Sequence, residues 1–186
     1  MEIPYTHGGD IYSRPIKMDY SANINPLGLP EGVKRELLCC VEENGCCIYP
    51  DSACRSLKMA LSGIHHVPKE WISCGNGAAD LIFALVAALR PRHALLLAPS
   101  FLEYSQALHL WGCETDSFML REDEDFSLDP FRLKEALFRA RAEKQPYDIL
   151  FLCNPNNPTG LPVKKEIVEE IGVVCKETGT WLAVDE

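Results

Sequence analysis

Two apolar runs of strand length constrain this chain more than any other feature. They are ALLLAP (94–99) and DILFLC (148–153), each set between helix-like stretches and followed at once by a loop rich in Pro, Ser or Asn. An unbroken apolar run of this length is expected where a strand is covered on both faces by crossover helices, whereas a strand with one wet face alternates. WISCG (71–75) and TWLAVDE (180–186) read as two further strands. The periodicity predicts helices over about 31–43, 52–63, 78–90, 101–111, 130–142 and 163–178, that of 78–90 (AADLIFALVAALR) being largely buried. Together these predict an α/β fold: a mostly parallel, doubly wound sheet with helices on both faces, in which ligands collect beyond the carboxyl ends of the strands. Residues 1–30 carry many breakers and read as an extended arm.

With 47% apolar and 24% charged residues in a chain of 186, disorder is excluded and one ordinary core is affordable. A net charge of −9 without a basic stripe argues against nucleic-acid or anionic-membrane surfaces. No apolar run reaches the roughly 18 residues of a membrane span, and the polar, Pro- and Gly-broken start does not resemble a secretory signal. A cytoplasmic protein is expected. The nine cysteines are odd in number, lack C-x-x-C spacing and partly occupy apolar runs such as ILFLC (149–153), so neither a disulfide framework nor a metal site is predicted.

The chemistry-bearing residues follow the strands directly. Gly75-Asn76-Gly77-Ala78-Ala79-Asp80 opens a helix, and reads either as a tight capped turn or as a backbone cradle for a phosphate. It is not the dinucleotide fingerprint, because no third Gly falls at the required spacing. In Ser100-Phe101-Leu102-Glu103-Tyr104 an aromatic ring could pack in the core or stack on a planar ligand. Asn154-Pro155-Asn156-Asn157-Pro158-Thr159-Gly160 forms a rigid turn that can also fix an Asn amide as a donor to an anionic oxygen. Asp185, at the end of the last strand, is either a surface acid or the partner of a protonated ring nitrogen. In the second role the gross attraction is about 5 kcal/mol at ~3 Å and an effective dielectric near 20, before desolvation. The four loops together describe a site for a flat, phosphorylated, nitrogen-containing ring.

The motifs Asn-Pro-Asn-Asn-Pro-Thr-Gly (154–160) and Val-Asp-Glu (184–186) resemble those of fold-type-I enzymes dependent on pyridoxal 5′-phosphate (PLP), in the aminotransferase group. A narrower likeness rests on His7-Gly8-Gly9, on residues 19–28 (DYSANINPLG), on Tyr49-Pro50-Asp51, and on Pro99, Phe101, Glu103 and Tyr104. It points to the threonine-phosphate decarboxylases of cobalamin biosynthesis and the related histidinol-phosphate aminotransferases. The resemblance implies that backbone groups of Gly77, Ala78 and Ala79 hold the cofactor phosphate and that Tyr104 stacks on the pyridine. Asn157 would bond its phenolic oxygen, and Asp185 would keep its nitrogen protonated. Tyr49 would reach the cofactor phosphate of a neighbouring subunit in a homodimer, while His7, Gly8 and Asn23 would contact a small phosphorylated amino-acid substrate.

Decarboxylation of O-phospho-L-threonine to (R)-1-amino-2-propanol phosphate is the implied reaction. The alternatives are transamination of the histidinol-phosphate type and a non-catalytic fragment serving only as a binding or partner domain. The resemblance divides the chain into residues 1–45, an N-terminal arm and first helix, and residues 46–186, part of the PLP-binding large domain. It places the Schiff-base Lys and the small C-terminal domain beyond Glu186, so this chain alone is expected to be inactive. Lys164, Lys165 and Lys176 match no family nucleophile, and Asp10 stands where the usual His-Gly-Gly-Asn has Asn.

Overall fold

The computed structural model describes residues 9–13, 15–19, 21, 22 and 24–186. The chain forms two compact units that divide between Ala53 and Cys54. In the first, α1 (Glu31–Glu42) starts behind Pro30 and ends in a reversal at Asn44, which leads into a 3-10 turn, Gly45–Cys47. Val33, Leu37, Leu38 and Val41 form an apolar stripe at helical spacing, exposed within this unit.

The second unit runs α2 (Arg55–His65), α3 (Gly77–Leu89), β1 (His93–Ala98), α4 (Leu102–Leu110), β2 (Glu114–Met119), α5 (Pro130–Ala142), β3 (Ile149–Cys153), α6 (Lys165–Thr178) and β4 (Trp181–Asp185). All strand pairs are parallel and the order is β2-β1-β3-β4. The chain leaves β1 toward β2 and returns on the other side of β1, so the crevice between the ends of β1 and β3 is the switch point of the sheet. Both predicted apolar runs occupy the two inner strands. Leu95, Leu97, Leu150 and Leu152 pack beneath α5 and α6 with Leu133, Leu137 and Ile171. Ala94, Leu96, Ile149 and Phe151 pack on the opposite side with Ile82 and Val86 of α3 and Tyr104, Ala107 and Leu108 of α4. Every side chain of β3 is buried, because alternate residues feed two cores.

Local signals account for the helix boundaries. Asp129 accepts hydrogen bonds from the amides of Phe131 (2.9 Å) and Arg132 (3.2 Å), and Pro130 supplies a preset φ at the first helical position of α5. Asp129→Ala is expected to cost about 1 kcal/mol in a denaturant melt, with the slope unchanged. α6 ends on Gly179 at φ +79, the left-handed conformation that glycine adopts without steric penalty.

Three expectations need correction. WISCG (71–75) is not a strand: a 3-10 turn covers Lys69–Trp71, and 72–75 pair with no strand among the described residues. An extended preference does not make a ladder without a partner edge. The helix over 78–90 is only half buried, with Ile82 and Val86 inside and Leu81 and Leu85 exposed. β2 is the strand that periodicity misses. Its sequence, ETDSFM, is mostly polar because it lies at the sheet edge, yet all six of its residues pair in register with β1. The apolar-run signal exists only where both faces are covered.

Candidate functional site

Asp185 ends β4, in register with Cys153 at the end of β3. Its carboxylate Oδ2 accepts a 2.6 Å hydrogen bond from the Tyr104 hydroxyl, which comes from the first turns of α4, 81 residues earlier in the chain. The Tyr104 ring is wholly buried, stacked on Phe151 at 4.7 Å between centroids and 12° between planes, with Phe101 edge-on at 5.6 Å. Burial, and then the hydrogen bond to Asp185, raise the phenol far above its ordinary value. The hydroxyl therefore keeps its proton and donates, pinning one carboxylate oxygen.

Asp185 looks into a cavity of about 190 Å³ that also takes in Ala78, Ile82, Phe151 and Ala183. The first turn of α3 thus meets the carboxyl end of β4. At this helix start Asn76 provides no side-chain cap. Asp80 instead accepts from the Asn76 amide at 2.9 Å, and the Gly77 amide turns back on the Gly75 carbonyl at 3.0 Å. The amides of Ala78 and Ala79 lie in the first turn, where no intrahelical acceptor exists. Gly77 has φ +84, and a Cβ there would stand in open space, so the loop offers bare backbone. The arrangement can bind an anionic group at the α3 start and a cationic, flat group against Asp185.

The Asn-Pro loop is held by the Asn residues on either side of Pro155. Asn154 exchanges hydrogen bonds with Val163, its Oδ1 accepting at 2.7 Å and its Nδ2 donating at 3.3 Å. Asn156, 5% exposed, donates from Nδ2 to the Pro99 carbonyl (3.1 Å) and to Thr159 Oγ1 (3.0 Å), tying the loop after β3 to the loop after β1 across the switch point. Asn157 is exposed, and its amide donates weakly to the Cys153 sulfur at 3.4 Å.

The structure therefore brings Ala78 and Asp185 to one cavity, puts Tyr104 directly behind Asp185, and leaves Asn157 on the adjoining loop. Two expected roles change. Tyr104 cannot offer a ring face, because Phe151 already covers one and the ring has no exposed surface; it holds the carboxylate instead. Phe101, partly exposed beside it, is the aromatic left at the loop after β1. Gly77 contributes its conformation, its N–H being engaged by Gly75. Tyr49 lies in the unit that ends at Ala53 and is 90% exposed. His7, Gly8 and Asn23 lie outside the described residues.

Sequence reasoning missed Asn156 and the Tyr104–Asp185 pair. Asn156 gave no signal beyond its motif, and no spacing rule joins residues 104 and 185. Among the described residues, no His, Cys, Asp and Glu side chains group in a way that could hold a metal ion, and no helix is long and apolar enough to cross a membrane.

Residues 15–186 match the family described as aminotransferase class I and II. The chain is 40% identical to a threonine-phosphate decarboxylase of Salmonella typhimurium, over 97% of this chain and 49% of that protein. It is 34% identical to a histidinol-phosphate aminotransferase of Carboxydothermus hydrogenoformans, over 87% of this chain and 44% of that one. The crystal structure of the histidinol-phosphate aminotransferase from Clostridium acetobutylicum superposes with a TM-score of 0.72 at 26% identity, covering 90% of this chain and 46% of that one. The chain thus spans about half the length of the curated relatives it matches, and its fold is that of the large domain of fold-type-I aminotransferases over the part it covers. Family and relatives are PLP-dependent. By the match over residues 15–186, and with the strand-end site in the place this fold provides, the chain belongs to the aminotransferase class I and II family.

Proposed function

We propose that this chain carries the cofactor-holding half of a PLP-dependent carboxy-lyase that converts O-phospho-L-threonine to (R)-1-amino-2-propanol phosphate in cobalamin biosynthesis. The observation that supports cofactor binding is Asp185, held from behind by Tyr104, lining one cavity with Ala78 at the start of α3. A flat, phosphorylated ring would suit this strand end, with its nitrogen beside Asp185 and its phosphate at the adjoining α3 start, where Gly77 bares the backbone and the amides of Ala78 and Ala79 lie in the first turn. The substrate reading is supported by the 40% identity to a threonine-phosphate decarboxylase over 97% of the chain.

When bound, PLP supplies an electron sink for the carbanion left as CO2 departs. The residues of this chain do the rest. Asp185 holds a proton on the pyridine nitrogen, and Tyr104 fixes the rotamer of that carboxylate. Ala78 and Ala79 anchor the phosphate, Phe101 covers the ring, and Asn157 donates to the phenolic oxygen. Asn154 and Asn156 keep that loop from collapsing. Tyr49 reaches the cofactor phosphate of a second copy in a homodimer, and His7, Gly8 and Asn23 clamp the substrate phosphate.

The likeness to histidinol-phosphate aminotransferases, at 34% and 26% identity, supports the second reading, amino transfer on a related phosphorylated substrate. In a protein that continues this chain through the remaining length of its relatives, O-phospho-L-threonine with PLP is expected to release CO2. Glutamate formed from histidinol phosphate and 2-oxoglutarate, without CO2 release, would favour the transferase. The 186-residue chain alone is expected to turn over neither substrate; turnover by it would overturn the placement of the Schiff-base Lys beyond Glu186. Failure of that chain to bind PLP at all would favour a non-catalytic binding or partner domain.

A further inference from the structure

The nine cysteines are all free, but they are not alike. Cys113, Cys153 and Cys175 are buried, and burial raises the Cys113 and Cys175 thiols to about 11. Four exposed thiols crowd instead into residues 39–47: Cys39 and Cys40 in the last turn of α1, Cys46 and Cys47 in the 3-10 turn. Between them Asn44 takes a left-handed φ of 58°, and the turn that follows brings Gly45 against Cys40. As a result the Cys40 sulfur lies against Gly45. A Cβ built on Gly45 would come within 2.5 Å of that sulfur and 2.9 Å of the Cys40 carbonyl oxygen, so only glycine leaves the thiol its place. Cys46 is the next residue, one Cα step of about 3.8 Å away. The turn carrying it is held by hydrogen bonds from the Cys47 amide to Asn44 and from the Ile48 amide to Gly45. Cys39, on the neighbouring helical position, donates to Glu43 Oε1 at 3.4 Å.

We propose that Cys40 and Cys46 form a reversible disulfide in the presence of a low-molecular-weight disulfide such as oxidised glutathione. The Cys46 thiolate attacks one glutathione sulfur and releases one glutathione thiolate. Cys40, after losing its proton to solvent, attacks the Cys46 sulfur of that mixed disulfide and expels the second glutathione. Two cysteine thiols are oxidised and one oxidised glutathione is reduced to two thiols. A ring this short removes little entropy from the unfolded chain, so the bond is a labile one rather than a structural staple. Closing it ties the end of α1 to the segment that leads into Tyr49. That consequence rests on the proposed role of Tyr49; the disulfide itself does not.

The test uses the 186-residue chain, treated with oxidised glutathione, alkylated, and digested without reduction by a glutamyl endopeptidase, which cuts between the two pairs. A cross-linked peptide pair joining Cys40 to Cys46 is expected, with Cys39 and Cys47 alkylated and the link reversed by dithiothreitol. It should vanish in Cys40→Ser and in Cys46→Ser, yet persist in Cys39→Ser and Cys47→Ser. All four thiols are exposed, and circular dichroism verifies that each variant folds. Glutathione adducts without a cross-link, a link to Cys54, or a link that survives Cys40→Ser would overturn the proposal.

Discussion

Asp185→Ala is expected to lower the affinity of the 186-residue chain for PLP by about 10- to 100-fold, the usual worth of a hydrogen bond to a charged partner. Equilibrium dialysis against PLP measures this without requiring turnover. The same change leaves the buried Tyr104 hydroxyl without its acceptor, which costs about 1–3 kcal/mol of folding stability. Tyr104→Phe separates the two effects. It keeps the ring stacked on Phe151 and removes only the donor, so it should weaken PLP binding less than Asp185→Ala does. Their double variant should show clear non-additivity, as residues in direct contact do. Additive losses in PLP affinity would mean that Tyr104 does not act through Asp185.

The Tyr104 bond also carries a pH dependence of fixed sign. The phenol is raised above its ordinary value of 10.0, so the stability it adds is complete below that pH and declines in more alkaline solution. In Tyr104→Phe that part of the alkaline loss should disappear.

Leu150→Ala should produce the largest loss of stability, about 2–5 kcal/mol, followed in urea. Leu150 is fully buried in the inner strand β3, among Leu95, Leu133, Leu137 and Ile171, so its truncation leaves a cavity walled by two helices and the sheet. Trp181→Ala, on the outer strand β4, is the control. Its ring is mostly exposed in this chain, and the expected change is within about 0.5 kcal/mol. Equal losses at the two positions would contradict the two-core arrangement.

These contrasts show where the sequence was legible. The inner strands announced themselves as unbroken apolar runs, because parallel strands covered on both faces have no polar side. The helices were placed within a few residues by their periodicity. The outer strand β2 was silent for the same reason in reverse, since exposed residues such as Thr115 and Ser117 obey no two-sided burial rule. WISCG carried an extended preference, but pairing is a property of two segments and one segment cannot encode it.

At the candidate site the loops were legible and their residue assignments less so. That loops after strands carry the chemistry follows from parallel topology, which points to the loops after β1, β3 and β4; Gly77, Tyr104 and Asn157 were singled out only through the family resemblance. Which side chain faces a ligand and which supports another could not be picked out. Tyr104 and Phe101 are both aromatics after the same strand, and only the packing of Phe151 decided that Tyr104 would turn inward to hold Asp185. Likewise Asn156 and Asn157 are adjacent and chemically identical. The proximity of the Pro99 carbonyl, 57 residues away in the chain, makes the first a staple and leaves the second exposed. Composition and periodicity thus determined the layers and their order of burial, because each depends on local spacing and average environment. Contacts between strand ends came only from the tertiary structure, because they depend on which segments lie side by side.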